Sequence, residues 1–297
     1  MGILQSSAKR TSNTRTMQTS AKSKAQWMLN IIGIMIVAVF LFPLYWLVIT
    51  SFKTESEIFA HHITLLPQHW TFQAYSDQLD GSSYNILLGF RNSAIIAFGT
   101  LIISTVLSIP AAYGVARFKF PGVNVIVLLF LVTQMLPSSL ILTPLFIQFK
   151  HLGLIGNTYW GAILANATAG IPFSVIILRT YFATLPKELE ESAKIDGCSV
   201  LTTFLRIMIP IAIPGVVVAM VFSFLFAWGD LIFGMTFIGS ESMRPITAGI
   251  YNFLGFQSTS WNNIMAFGTV SILPVVLIFI FIQRFIVSGL TNGAVKG

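Results

Sequence analysis

Charge is what this sequence has least of. Charged side chains make up 9% of its 297 residues, against roughly 25% in an average soluble domain. Hydrophobic residues account for 55%, and the mean hydropathy is +0.81. A chain so poor in charge cannot cover a globule with hydrated side chains, which leaves the lipid bilayer as its solvent. Cysteine is nearly missing as well: Cys198 stands alone, which rules out an intrachain disulfide and a cysteine-rich metal site. No Gly-Lys-Ser/Thr phosphate loop occurs, so this chain is expected to hydrolyse no ATP and to be no enzyme. His61, His62 and His69 share one loop but form no i, i+4 pair, and no metal site is expected. The net charge of +7 is not carried by a basic run interleaved with aromatics, so it does not point to nucleic acid.

What is present is a set of continuous apolar runs. They lie at residues 27–51, 93–116, 123–149, 160–181, 211–238 and 265–286, and each is long enough for the roughly 20 helical residues that cross a bilayer. A β-barrel would show short alternating strands instead. The expected fold is therefore an all-α polytopic membrane protein with six transmembrane helices. The first run is too long for a signal-peptide core and ends at no A-x-A site, so it should remain as an anchor.

Lysine and arginine set the orientation. With the N-terminus inside, the inner segments hold Lys9, Arg10, Arg15, Lys22, Lys24, Arg117, Lys119, Arg179, Lys187, Lys194, Arg206, Arg284 and Lys296, against Lys53, Arg91, Lys150 and Arg244 outside. Both termini are thus expected in the cytoplasm. Residues 1–26 have no acid and read as a disordered basic tail lying against anionic headgroups. Residues 27–286 form the transmembrane domain, and 287–297 a cytoplasmic tail. Loop 52–92, with Phe59, Trp70, Phe72 and Tyr75, should form a small extracytoplasmic cap. Pro43, Pro110, Pro137, Pro144, Pro172 and Pro274 each remove a backbone donor inside a span and favour kinks.

Against this background one stretch is anomalous. Residues 187–196, KELEESAKID, place six charges in ten residues and hold four of the ten carboxylates. They belong to a connection, 182–210, too polar to cross the membrane. Pro186 suits the first helical position, Glu188 the positive N-terminal turn, and Gly197 a left-handed stop. A second helix over 200–209 follows, with Ser199 as N-cap, Leu201, Phe204, Leu205 and Met208 on one face, and Pro210 and Pro214 closing it. The residues by themselves leave two readings open: a subunit driven through this loop, or a self-contained channel or secondary transporter with a regulatory loop. A single intramembrane carboxylate and no inverted repeat make the second a poor coupled carrier.

Glu191-Ser192-Ala193, followed by Asp196-Gly197, Phe204 and Pro210, resemble the EAA motif of ABC importer permeases, with Ser192 in place of the first alanine. Asn92-Ser93, Trp228-Gly229-Asp230, Phe237, Gln283-Arg284-Phe285 and the terminal Gly289–Gly297 are similar to the MalG-like half of maltose-type carbohydrate permeases. The resemblance covers nearly the whole chain after the tail. It implies a type I importer permease fold in the bacterial inner membrane. It also implies a heterodimer with a second permease, an ATPase dimer and an extracytoplasmic solute-binding protein. ATP and Mg would be used by the ATPase, with no cofactor on this chain. Coupling to the ATPase would fall to Glu191, Ser192, Ala193, Asp196, Gly197 and Phe204, and the tail residues Gly289, Thr291, Gly293 and Lys296 would reach the ATPase interface. Gln134, Asn166, Trp228 and Asp230 are polar or aromatic residues within the spans and are candidates for the substrate path.

Overall fold

The computed structural model describes residues 2–81, 85–254 and 259–294, with side chains described from 26 to 283 across the same gaps. Twelve α-helices follow one another: α1 (Gly2–Thr50), α2 (Glu55–Ile58), α3 (Gln73–Leu79), α4 (Ile86–Arg117), α5 (Val123–Met135), α6 (Ser138–His151), α7 (Trp160–Thr184), α8 (Glu188–Ile195), α9 (Val200–Thr203), α10 (Ile209–Trp228), α11 (Ile232–Phe237) and α12 (Trp261–Ala294). A π-helical turn, Phe204–Met208, joins α9 to α10.

Five helical stretches are long and apolar enough to span a membrane: Gln26–Thr50, Ile86–Arg117, Trp160–Thr184, Val200–Trp228 and Trp261–Gln283. The third expected span is instead a bent pair, α5 and α6, turned by 101°. Pro137 causes the break. It cannot donate to a preceding carbonyl, and the residue before it, Leu136, is pushed into an extended conformation (φ −79°, ψ 126°). Pro43, Pro110, Pro144, Pro172 and Pro274 stay inside helices. The fifth run also ends early, at Trp228, because Gly229-Asp230-Leu231 interrupts it before α11. At the N-terminus the backbone of α1 is helical from Gly2.

The core is a three-helix packing. The α4–α7 contact is the largest, and α10 lies on both helices. Small polar residues of α4 allow the close approach: Thr100 donates to Ile163 O (3.3 Å) and Ser108 to Ile171 O (3.4 Å), while Ser174 of α7 and Ser223 of α10 share a buried hydrogen bond (3.1 Å). Hydroxyls paired in this way satisfy their polarity between the helices. Between α7 and α10 the Tyr181 ring lies directly on the backbone at Gly215, where a Cβ would sit 2.6 Å from it. By contrast, no residue in the apolar window of α1 is buried, so the rest of the chain leaves this helix almost wholly uncovered.

At the end of the bundle where α1 stops, the segment after Ser51 is bonded to the start of α12 and caps this end of the packing. The Glu55 carboxylate accepts from Ser260 Oγ (3.2 Å) and from Asn262 N (3.0 Å) at the start of α12. Ser51 and Tyr75 share a 2.6 Å hydrogen bond. Gln78 donates to Asn263 O (3.0 Å). Glu57 Oε1 accepts from Thr64 Oγ1 (2.7 Å) and Gln68 N (2.9 Å). Desolvation pushes the Glu57 carboxyl up, but the bonds from Thr64, Gln68 and His69 and the nearby Lys53 charge outweigh it and hold the group below its usual value. A depressed carboxylate contributes stability above its unfolded pKa and loses it as pH falls through the folded one. The cap should therefore loosen only below the ordinary glutamate range near pH ~4.3. Thermal unfolding followed against pH should show this acid limb in the native chain and not in Glu57→Gln.

Candidate functional site

The charged connection between α7 and α10 is built much as its residue types demand. α7 stops at Thr184, where Leu185 turns extended ahead of Pro186. α8 then begins at Glu188, with three acids in its positive first turn and Lys194 in its last. Gly197, at φ +79°, ends it. Its N–H donates to Lys194 O (3.0 Å) and that of Cys198 to Ala193 O (2.9 Å), a Schellman termination that needs a left-handed residue at this position. Ser199 caps α9 by accepting from Thr202 N (3.2 Å).

Beyond this point the expected second helix is redrawn. Pro210 and Pro214 do not close it; α9, the π turn and α10 run on as one span. The extra residue in the π turn rotates the face that follows. Phe204 and Met208 turn inward, whereas Leu201 and Leu205 are 65% and 52% exposed. Pro210 removes one donor from this continuous span at the point where the π turn passes into α10.

What holds α8 against the bundle is a half-buried ion pair. Arg117, the last residue of α4, places Nε 3.2 Å from Glu190 Oε1, and the two side chains are 5% and 17% exposed. That approach is ionic and lacks hydrogen-bond alignment; the guanidinium's hydrogen bond runs from Nη2 to Leu185 O at 2.8 Å. Tyr113 Oη donates to the same Glu190 oxygen at 3.0 Å. The Tyr113 ring in turn packs on Phe204 (4.7 Å between centroids) and Phe182 (5.5 Å). One carboxylate thus ties α8 to α4, while one aromatic ring ties α4 to the π turn.

The latch divides the acidic cluster into two faces. Glu190 and Ala193 face the bundle, Ala193 being 3% exposed. Glu191, Ser192, Asp196 and Gly197 are exposed, and Ile195, at 86% exposure, stands among them beside exposed Val200 and Leu201. An apolar centre rimmed by carboxylates on a fixed helix is suited to seating in another protein. Tyr113, Arg117 and Glu190 carry no local signature in the sequence. The only signal is a basic residue at the end of a span with an acid cluster on the same side.

The other predicted residues scatter. Asn166 is fully buried and donates to Ala162 O (2.9 Å) and to Asp230 Oδ2 (3.3 Å). Asp230 accepts from Phe233 N (3.2 Å) and Gly234 N (2.9 Å), so its carboxylate caps α11. Trp228 is 5% exposed, stacked on Phe224 (5.6 Å, 14°), with its indole N–H on Ser271 O (3.2 Å). Gln134 alone of these four reaches an open groove, of about 420 Å³, shared with Ala169, Gly170, Phe173, Phe222 and Phe226. At the cap end Asn92 donates to Ser242 O (2.8 Å) and Arg244 O (2.9 Å), and Ser93 accepts from Ile246 N (2.8 Å), pinning the loop after α11. Gly289, Thr291, Gly293 and Lys296 lie outside the residues whose side chains are described.

The residues that build this corner and its supporting spans, 104–292, match the family described as binding-protein-dependent transport system inner membrane component. The chain belongs to this family. As a permease of that kind it is 36% identical over 256 residues to the probable ABC transporter permease protein YurM of Bacillus subtilis, covering 86% of this chain and 84% of that protein. It is 33% identical over 270 residues to the trehalose transport system permease protein SugB of Mycobacterium tuberculosis, covering 90% and 96%. In fold it is similar to a chain of a bacterial ABC transporter involved in the import of the acidic polysaccharide alginate. The TM-score is 0.71 at 20% identity, over 86% of the permease and 96% of that chain.

Proposed function

We propose that this permease is one half of the translocation pathway of an ATP-driven importer for an oligosaccharide or related sugar, with both termini in the cytoplasm. In this reading it works beside a second permease, an ATPase dimer and an extracytoplasmic binding protein in the bacterial inner membrane. The observation that carries it is the α8 corner: a short helix, latched to α4 through Glu190, whose free face pairs Glu191 and Asp196 with Ile195. Coupling requires an element that makes different contacts in two states and passes the difference on. The Arg117–Glu190 pair and the Tyr113–Phe204 contact supply that transmission. Similarity to a trehalose permease supports a sugar, as does the groove at Gln134, where Phe173, Phe222 and Phe226 offer aromatic faces beside an amide.

The direct test is uptake of labelled sugar by reconstituted vesicles with and without the ATPase and second permease. Uptake by this chain alone, without ATP, would overturn the proposal and restore the channel or carrier reading. Two substitutions probe the corner. Gly197→Pro removes the N–H given to Lys194 and fixes φ near −65° where +79° is needed. Glu191→Lys reverses an exposed charge without touching the fold. Both should abolish sugar-stimulated ATP turnover and uptake while membrane insertion persists; undiminished uptake in Glu191→Lys would remove Glu191 from the coupling face.

A further inference from the structure

Pro210 ends the EAA-like pattern in sequence but has no part in the exposed coupling face. It stands inside the 29-residue span Val200–Trp228. An interior proline costs a helix twice, because it has no N–H to give and its ring presses on the carbonyl four residues back, here that of Arg206. Immediately ahead of Pro210 the helix is wound differently. Ile209 N–H donates to Phe204 O, five residues back instead of the α-helical four, and Phe204–Met208 form the π turn. Widening the turn by one residue carries the Arg206 carbonyl away from the ring.

Proline alone does not produce such a turn. Pro43, Pro110, Pro144, Pro172, Pro214 and Pro274 lie in α-helix, and among the described residues only Pro210 follows a π turn. What distinguishes Pro210 is the chain ahead of it, which is tied to α4 twice: Glu190 pairs with Arg117, and the Phe204 ring packs on Tyr113 at 4.7 Å. A free helix relieves a proline by bending away from the ring. With α8 and the π turn held to α4, and α10 packed on α4 beyond them, bending is closed off and the extra residue is taken up within the turn. Its effect is on phase. One residue is about 100° of helix rotation, so everything before the turn presents a face about 100° away from that of a straight helix of the same sequence. In the observed phase Phe204 meets Tyr113 and Met208 is fully buried, while Ile195, Val200 and Leu201 stay outside.

We propose that Pro210 is a positioning residue for the α8 corner: by keeping the π turn open it sets the angle at which Glu191, Ile195 and Asp196 are presented relative to α10. That the corner couples to an ATPase is the reading proposed above. The phase of the turn is a property of the folded chain alone.

The experiment compares three forms of the full-length permease: the unaltered chain, Pro210→Ala, and Pro210→Ala with Leu205, a 52% exposed residue of the turn, deleted. In Pro210→Ala the donor returns and the ring is gone, so the turn should close to α-helix with one residue too many and swing Phe204 off Tyr113. Deleting Leu205 removes that residue and restores the phase. Melting in detergent reads the joint. Phe204→Ala should lower the melting temperature of the unaltered chain, have little effect in Pro210→Ala, and lower it again once Leu205 is deleted. ATP-driven uptake by the assembled transporter reads the function: it should be lost in Pro210→Ala at normal membrane level and return with the deletion. Unchanged melting behaviour and uptake in Pro210→Ala would overturn the proposal. So would a loss of uptake that the deletion does not repair, which would make the proline a structural residue only. A melting pattern that follows the phase while uptake ignores it would end the positioning role and leave the importer reading to its own uptake test.

Discussion

Arg117→Met should destabilise the permease more than any other single change at the α8 end. It leaves Glu190, 17% exposed, as a carboxylate without its cation and frees Leu185 O as well. Removing one partner of a fully buried pair costs about 3–5 kcal/mol because the remaining charge is uncompensated, and at the part-burial of Arg117 and Glu190 the cost falls below that range, at about 1.5–3 kcal/mol. Since every 1.4 kcal/mol is about tenfold in an equilibrium, α8 should lose its docked population before the rest of the bundle unfolds. The expected result is at least a tenfold fall in ATP-driven uptake and a lowered melting temperature in detergent. Glu190→Gln keeps the Tyr113 bond with no buried charge of its own, so the double variant Arg117→Met, Glu190→Gln should be less damaged than Arg117→Met alone. Simple additivity of the two single effects would show that the residues do not act as a pair.

Trp228→Ala should be at least as severe, for a different reason. The indole fills the space between Phe224 and Phe90 (centroids 5.6 and 5.5 Å), and replacing a buried Trp by Ala costs about 3–5 kcal/mol through lost contacts and the cavity left behind. Trp228→Phe keeps an aromatic on Phe224 and forfeits chiefly the bond to Ser271 O, a loss nearer ~1 kcal/mol. Membrane-inserted protein should therefore collapse in Trp228→Ala and be largely kept in Trp228→Phe, with the KM for sugar unchanged in whatever protein survives. A raised KM at normal protein level would instead make Trp228 a stacking platform in the substrate path. The groove at Gln134 gives the contrast: Phe173 and Phe222 are partly exposed there, and their substitution should move KM more than stability.

These expectations show where local reading stops. Ser199 as a cap and Gly197 as a left-handed stop were legible because caps and glycine corners are decided within a few residues. Glu190 looked like one more solvated acid of the cluster, whereas Glu191 stood out through the motif. The structure gives Glu190 a partner 73 positions earlier in the chain (190 − 117), and no periodicity within α8 encodes that. Proline shows the same limit. Pro137 breaks its run while Pro43, Pro110, Pro172 and Pro274 do not. At Pro172, buried in the three-helix core, packed neighbours hold the helix across the missing donor, and nothing local to that proline distinguishes it from Pro137.

By itself the amino-acid sequence determined the class of molecule. Apolar runs of membrane length, scarce charge and a lone acidic connection follow from the cost of placing polar groups in hydrocarbon, and that cost is summed residue by residue along the chain. Only the tertiary structure decided which acid is latch and which is free face, and that Asn166 and Asp230 serve each other. Each of those outcomes depends on whether a polar group finds a partner, and the partners come from helices far apart in the chain, which only packing brings within 3 Å or so of one another.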